Sequence, residues 1–510
     1  MNIKLSTLLI LLLSSGLSAQ HYKNPVIPGD FADPTIIRVG DKYYASGTSS
    51  EWAPHYFIFE STDLVNWNYT APVFKTKPEW TKASFWAPEL YVLNGKIYMY
   101  YTARRSLDNV SYIGVAVADD ITKGFTDHGC LVAFEKEAID AFIFEDKGKL
   151  YISWKAYGLD QRPIELLCSE LTSDGLKLAG EPFMLLRDDE KQGLEGQYIY
   201  KKGEYYYIVY SILGCCGARS NYAVSVARSR SFKGPYEKYE GNPILQGDSA
   251  DILSCGHGTA VETPDGRMFY LYHAYLKGNG FFNGRQAFLK EIAISNDKWP
   301  YFVTGKYASI NEPMPFGGMK QKEVSSFEDY FATNEIRSEW TWNFTFADLK
   351  AKTGTGTLML TGTPFAENRY GTALCLRTLK PDYEITTGVK DQPGILAGLT
   401  LYGDKDNLVI FGKTRGALVI RQVKKGIEQT LYSNNTAPGN IHLKVTVTDG
   451  CQAAYHWSSD QRTWHQITLD EPAHDVSFLP PWDRAFRPGL IHAGDENIPA
   501  EYKYCILNYR

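Results

Sequence analysis

The chain has 510 residues, too many for one hydrophobic core, which stops growing near roughly 250–300 residues, so two domains are expected, with room for three. Hydrophobic residues at 44% and charged residues at 22% describe an ordinary folded protein and exclude disorder, collagen and coiled coil. A net charge of −5, with no run of five basic residues, argues against a nucleic-acid partner, which needs a basic footprint. Aromatics at 14%, with 35 Tyr, 44 Gly and 24 Pro, fit many short strands and turns.

The chain starts MNIKLSTLLILLLSSGLSAQ: one basic residue (Lys4), an apolar run from Leu8 to Leu13, and a small-residue exit at Leu17-Ser18-Ala19. That is the pattern of a signal peptide over residues 1–19, cleaved after Ala19, with export to the periplasm or the medium. The apolar run is too short for a bilayer core of about 30 Å, and no later segment is longer, so no membrane span is expected. Export permits disulfides. The eight cysteines are too sparse for a disulfide scaffold and include no CxxC pair, so a zinc site of the usual spacing is not expected. Adjacent Cys215-Cys216 leaves two readings open, a vicinal disulfide or two thiols in a turn, and in both the expected role is structural.

An internal repeat follows. Asp33 opens DPTIIRVGDKYY, Ala87 APELYVLNGKIYMYY, Asp140 DAFIFEDKGKLYISW, Glu195 EGQYIYKKGEYYYIVY, and His257 HGTAVETPDGRMFYLYH. Each is a short apolar strand, a Gly-containing turn and an alternating aromatic strand, which is a hairpin signature. A third strand follows each (IFESTDLVNW, YIGVAVADD, IELLCSEL, YAVSVARSRS, AFLKEIAIS). Successive starts lie 54, 53, 55 and 62 residues apart. A period of that length with about four strands per unit predicts a five-bladed β-propeller over residues 22–315. A large β-sandwich would not require the even spacing.

The innermost strands of a propeller line its channel. Asp33, Ala87, Asp140, Glu195 and His257 are therefore expected to meet around one axis. Three carboxylates in one ring repel one another and push their pKa values apart, an arrangement of use to acid–base chemistry. Two carboxyl groups flanking a cleft are the minimal equipment for glycoside hydrolysis. Phe31, Trp52, Trp86 and Trp154 are candidate platforms for sugar faces, with inter-blade packing as the alternative for each Trp. Arg285, in Asn283-Gly284-Arg285-Gln286, is a candidate donor to sugar hydroxyls or a partner for a carboxylate.

Ala32-Asp33-Pro34 after NPVIPGD, Trp86-Ala87-Pro88-Glu89, Ile139-Asp140-Ala141, Glu195-Gly196 and Gly256-His257-Gly258, in this order, resemble glycoside hydrolase family 43 over about residues 22–305. The resemblance implies an inverting hydrolase, with Asp33 as general base, Glu195 as general acid, and Asp140 orienting Glu195 and raising its pKa. It makes His257 the channel histidine, contacting substrate, water or an axial metal ion, and Arg285 a reader of a sugar hydroxyl. The Cys-Cys pair also recurs in the family. Gln197 departs from the Pro that many members carry after Glu-Gly, which bears on local subsite shape. An inverting pair should stand about 6.5–9.5 Å apart, a retaining pair about 5–5.5 Å.

Residues 306–326, with Pro313, Pro315, Gly317 and Gly318, read as a linker or edge connection. Beyond Phe327 the carboxylate repeat is gone, and alternating strands such as TGTLMLTGT, GILAGLTLYG, NLVIFGK, GALVIRQVKK and IHLKVTVTDG predict a β-sandwich over residues 325–510. FEDYF…WTW and AGLTLYGDKDNLV resemble the concanavalin-like C-terminal domain found in some family members. Packing or cleft shaping is its expected role, and Trp457, Trp464 and Trp482 are its candidate platforms. The expected fold is thus all-β, a five-bladed propeller followed by a sandwich. The expected activity is release of a terminal pentose, α-L-arabinofuranose or β-D-xylose, from a plant polysaccharide or oligosaccharide, with arabinofuranose slightly preferred and no residue deciding it. An endo-arabinanase and a non-catalytic glycan-binding propeller are the alternatives, and the presence of both Asp33 and Glu195 weighs against the second. No cofactor is required by this chemistry. Resemblance alone leaves room for a structural calcium ion on the channel axis or in the sandwich.

Overall fold

The computed structural model describes residues 20–157, 163–248, 250–435, 439–471 and 473–510. The leader expected over residues 1–19 lies outside them. Among the described residues no helix is long and apolar enough to cross a membrane.

Five antiparallel sheets form the blades of a propeller, and the sheet order in each follows the chain. Their inner strands are Ala32–Val39, Thr81–Leu93, Ala138–Asp146, Glu195–Lys202 and Ile252–Glu262. Each inner strand turns into a second strand: Lys42–Thr48, Lys96–Arg105, Lys149–Ala156, Tyr205–Ile212 and Met268–Leu276. The turns carry Gly40, Gly95, Gly148, Gly203 and Gly266, all at positive φ, where a residue without Cβ costs least. The second strands lie between neighbouring blades and bury both faces, as Tyr100, Tyr101, Tyr207, Ile208 and Val209 show. Hence they read as near-continuous apolar runs instead of alternating ones. Five apolar clusters fill the gaps between successive blades, and each fully buried aromatic contributes about 1.5–3 kcal/mol. The N-terminal segment is laid against blade 5: Tyr22 OH donates to the Leu289 carbonyl at 2.7 Å, and Ile27 bridges Ala287.

The segment expected as a linker is fastened down. Asn311–Pro313 pairs with His21–Lys23, and Glu312 forms a fully buried ion pair with Lys290. The C-terminal region is a two-sheet sandwich around one core. Its final strand, Ala500–Tyr509, runs between Thr357–Pro364 and Tyr383–Val389. The two domains share a sheet: Trp52–Ala53, which sequence places in blade 1, pairs with Trp340–Asn343 at the edge of a sandwich sheet. The sandwich therefore sits against one side of the propeller mouth.

Candidate active site

All five inner strands carry a bulge at the same place. The ladder slips after Ala32, Trp86, Ile139, Glu195 and Gly256, each still paired with its second strand. The next residue takes positive φ in every blade: Asp33 (50°), Ala87 (35°), Asp140 (57°), Gly196 (60°) and His257 (42°). Such backbone is costly for most side chains and least so for Gly, Asp and His, which fill four of the five positions. The repeat phase read from sequence thus needs one correction. Gly196, not Glu195, is the counterpart of Asp33, Asp140 and His257, and Glu195 is the counterpart of Trp86. The extra residue at each bulge lets blade 4 offer its carboxylate from the paired position.

The bulges bring Asp33, Asp140 and His257 together. His257 Nδ1 lies 3.5 Å from Asp33 Oδ1 and 3.9 Å from Asp140 Oδ2. Asp33 is buried and accepts from Thr48 Oγ1 at 2.6 Å and Arg285 Nη1 at 2.9 Å. Burial by itself would raise the Asp33 carboxyl, but the Arg285 guanidinium, with His273 and His257 beside it, holds it well below the usual carboxylate range. His273 also touches Asp33. Burial lowers its imidazole to about 4, so it is neutral, and its Nδ1 accepts the Asp33 N–H at 3.1 Å. Asp33 is therefore an oriented carboxylate whose surroundings favour its ionised form.

The second carboxylate pair behaves differently. Burial pushes Asp140 up to about 6, His257 opposes the rise and Glu195 adds to it. Asp140 Oδ2 accepts the Gly196 N–H at 3.1 Å. Glu195 accepts from Lys155 Nζ at 2.7 Å and Tyr222 OH at 2.9 Å. Burial would raise Glu195, yet Lys155 prevails and lowers it. The net direction for Glu195 is thus downward, set by Lys155, while burial takes Asp140 upward. Gln197 donates to the Asp140 carbonyl at 2.6 Å and to Ser153 Oγ at 3.2 Å, so the residue that departs from the family's Pro braces this turn.

Several expected contacts move. Trp52 is 1% exposed, packed against Tyr402 and covered by the Arg487 guanidinium 4.2 Å from its ring, so it presents no face to a sugar. Phe31 is buried against Phe59, and Trp154 lies in the core between blades 2 and 3. Arg285 is 4% exposed and bound to Asp33 and to the Asp483 carbonyl at 3.2 Å, so it serves a carboxylate, not a free sugar hydroxyl. Trp86 is half-buried and open to a cleft of about 770 Å³ between propeller and sandwich, which Arg104, Phe346, Phe365, Trp482 and Arg484 also line. The carboxylates lie beside this cleft and not in its wall. Trp482, 57% exposed, is a free platform, whereas Trp457 stacks on His465 and Trp464 is covered by Lys444. Cys215 and Cys216 form a disulfide on a loop whose Gly217 approaches the Trp482 carbonyl. Among the described residues no group of three or more His, Cys, Asp or Glu is arranged to hold a metal ion.

Lys155, Tyr222, His273, Thr48 and Asp483 were not expected at the site. Tyr222 and Asp483 had no signal beyond proximity. The column Thr48, Thr102, Lys155, Ser211, His273 ends each aromatic second strand and could have been aligned from the repeat.

The model of glycosyl hydrolases family 43 matches residues 22–300, and that of a beta xylosidase C-terminal concanavalin A-like domain matches residues 328–479. A beta-xylosidase of Bacillus subtilis is 28% identical over 94% of this chain and 98% of its own. An extracellular exo-alpha-(1->5)-L-arabinofuranosidase of Cellvibrio japonicus is 29% identical over 53% of this chain and 84% of its own. A solved xylan beta-1,4-xylosidase from Bacillus halodurans superposes with a TM-score of 0.83 at 21% identity, covering 96% of this chain and 100% of that one, and so shares the fold.

Proposed function

The chain belongs to glycosyl hydrolases family 43, and from that premise we propose an exo-acting, inverting glycosidase that removes a terminal pentose, preferentially β-D-xylose, from a plant polysaccharide or oligosaccharide. One observation carries the reading: Asp33, held by Arg285 and Thr48, meets Asp140 across His257 at one mouth of the channel, with Glu195 held beside them by Lys155 and Tyr222. Asp33 accepts a proton from water as that water attacks the anomeric carbon. The glycosidic bond breaks, and Glu195 gives its proton to the leaving oxygen. Glu195 keeps 15% side-chain exposure. A sugar that covers this remainder raises its pKa. The sandwich loop carrying Trp482 and Asp483 walls one side of the mouth, which supports exo action on a chain end.

The preference for xylose rests on the two-domain relatives. Likeness to the xylosidase extends through the sandwich, whereas likeness to the arabinofuranosidase covers about half the chain. Terminal arabinofuranose is the second reading. The leader-like residues 1–19 support export.

The test uses aryl β-D-xyloside and aryl α-L-arabinofuranoside side by side, with wild type, Asp33→Asn and Glu195→Gln. Each variant should lose about 10²–10⁴-fold in kcat. Wild-type kcat/KM should fall as pH rises through about 6, where the Asp140–Glu195 pair loses its proton. Undiminished turnover by Glu195→Gln on an aryl glycoside with a poor leaving group would overturn the acid assignment. Oligomeric products from xylan or arabinan would replace exo by endo action.

A further inference from the structure

In four blades the second strand supplies an acceptor for the bulge N–H of the next blade. Thr48 Oγ1 accepts from Ala87 at 2.8 Å, Thr102 Oγ1 from Asp140 at 3.2 Å, Ser211 Oγ from His257 at 2.7 Å, and His273 Nδ1 from Asp33 at 3.1 Å. Register fixes the column: these residues pair with Ala32's, Trp86's, Glu195's and Gly256's positions, and the blade-3 member, opposite Ile139, is Lys155. An ammonium group cannot accept a hydrogen bond. The Gly196 N–H goes to Asp140 Oδ2 instead, at 3.1 Å, and Lys155 turns its Nζ to Glu195 Oε2 at 2.7 Å.

Lys155 is completely buried. A buried lysine is costly, and a threonine, as in blades 1 and 2, would satisfy the bulge without charge. Packing does not explain the exception, whereas control of the two carboxylates does. Resting on the function proposed above, we propose that Lys155 is a positioning residue: its buried ammonium group holds the Glu195 carboxylate in place and sets its charge, and it leaves Asp140 to brace Gly196. The groups facing Glu195 are Lys155, Asp140 and Glu137 from blade 3, Tyr222 from blade 4 and His257 from blade 5. Lys155 is the fixed cation among them.

The experiment compares the full chain with Lys155→Met and Lys155→Thr. Carboxyl carbon-13 titration follows the Asp140–Glu195 pair directly, and pH profiles of kcat/KM are taken with phenyl and dinitrophenyl glycosides. Loss of one close opposite charge should raise the Glu195 ionisation by about 1–3 pH units. It should slow the phenyl substrate, which needs an acid, far more than the dinitrophenyl one. Lys155→Thr, which restores the acceptor used in other blades, serves if Lys155→Met does not fold. An unmoved carboxyl titration in a folded variant overturns the proposal, as does equal loss on both leaving groups. Wild-type inactivity on both glycosides would count against the substrate reading and leave the titration to decide on Lys155.

Discussion

Removing Arg285 by the near-isosteric R285M should both loosen the two domains and change the acid side of the activity profile. The Arg285–Asp33 pair spans 2.9 Å with side-chain exposures of 5% and 10%. At that separation the gross attraction is about 6 kcal/mol at an effective dielectric of about 20. Losing one partner of such a buried pair costs about 3–5 kcal/mol net. The variant also strips two donors from the Asp483 carbonyl, at 3.3 and 3.2 Å, which tie the sandwich loop to the propeller. At about 2 °C per kcal/mol for a domain of this size, melting should fall by about 6–10 °C. Burial of Asp33 then loses its strongest opponent, and only His273, His257 and the Thr48 hydroxyl remain to favour its ionised form. Its pKa rises into or above the ordinary range near about 4. The base must be ionised to work, so activity is lost as pH falls through the raised pKa, and an acid limb should appear between about pH 4 and 6 where wild type stays flat. Scanning calorimetry and kcat/KM against pH measure both effects. An acid limb unchanged from wild type, in a protein that melts as wild type does, would refute the assignment of Arg285 as the group that keeps Asp33 ionised.

Two further outcomes are expected. Gly196→Ala places a Cβ 2.7 Å from His257 Cγ on backbone at φ +60°, which should cost about 1–3 kcal/mol and lower kcat by displacing His257; a crystal structure with His257 unmoved and full activity would count against the ring geometry. Trp482→Ala should raise KM for oligosaccharides about tenfold, roughly the 1.4 kcal/mol of one lost stacking contact, while leaving kcat on aryl glycosides near wild type; equal KM for both would remove the cleft from the substrate path.

The chemistry of Asp33 and Asp140 was legible because a propeller repeats: one phase returns to one axis, so equal spacing in sequence becomes adjacency in space. The same logic misplaced Glu195 by one residue, since a bulge adds a residue to the strand without adding to its length, and sequence does not mark which side of the slip a side chain occupies. Among the aromatic candidates Trp52 is buried for another reason, while Trp86 stays open to the cleft. Trp52 and Trp86 share a chemical character and a similar distance from the ring, but Trp52 joins a sandwich strand some 290 residues away in the chain. Nothing local announces that pairing.

By itself the sequence determined the repeat, the blade number, the all-β class and the family motifs, because these depend on period, turn residues and local order. Only the tertiary structure decided which groups set the charge of those carboxylates. Lys155, Arg285, His273 and Tyr222 come from three different blades, and the Asp483 carbonyl comes from the sandwich. Their effects fall off within a few ångströms and depend on burial, so an acid and a base of nearly the same intrinsic pKa are driven apart by neighbours that only folding supplies.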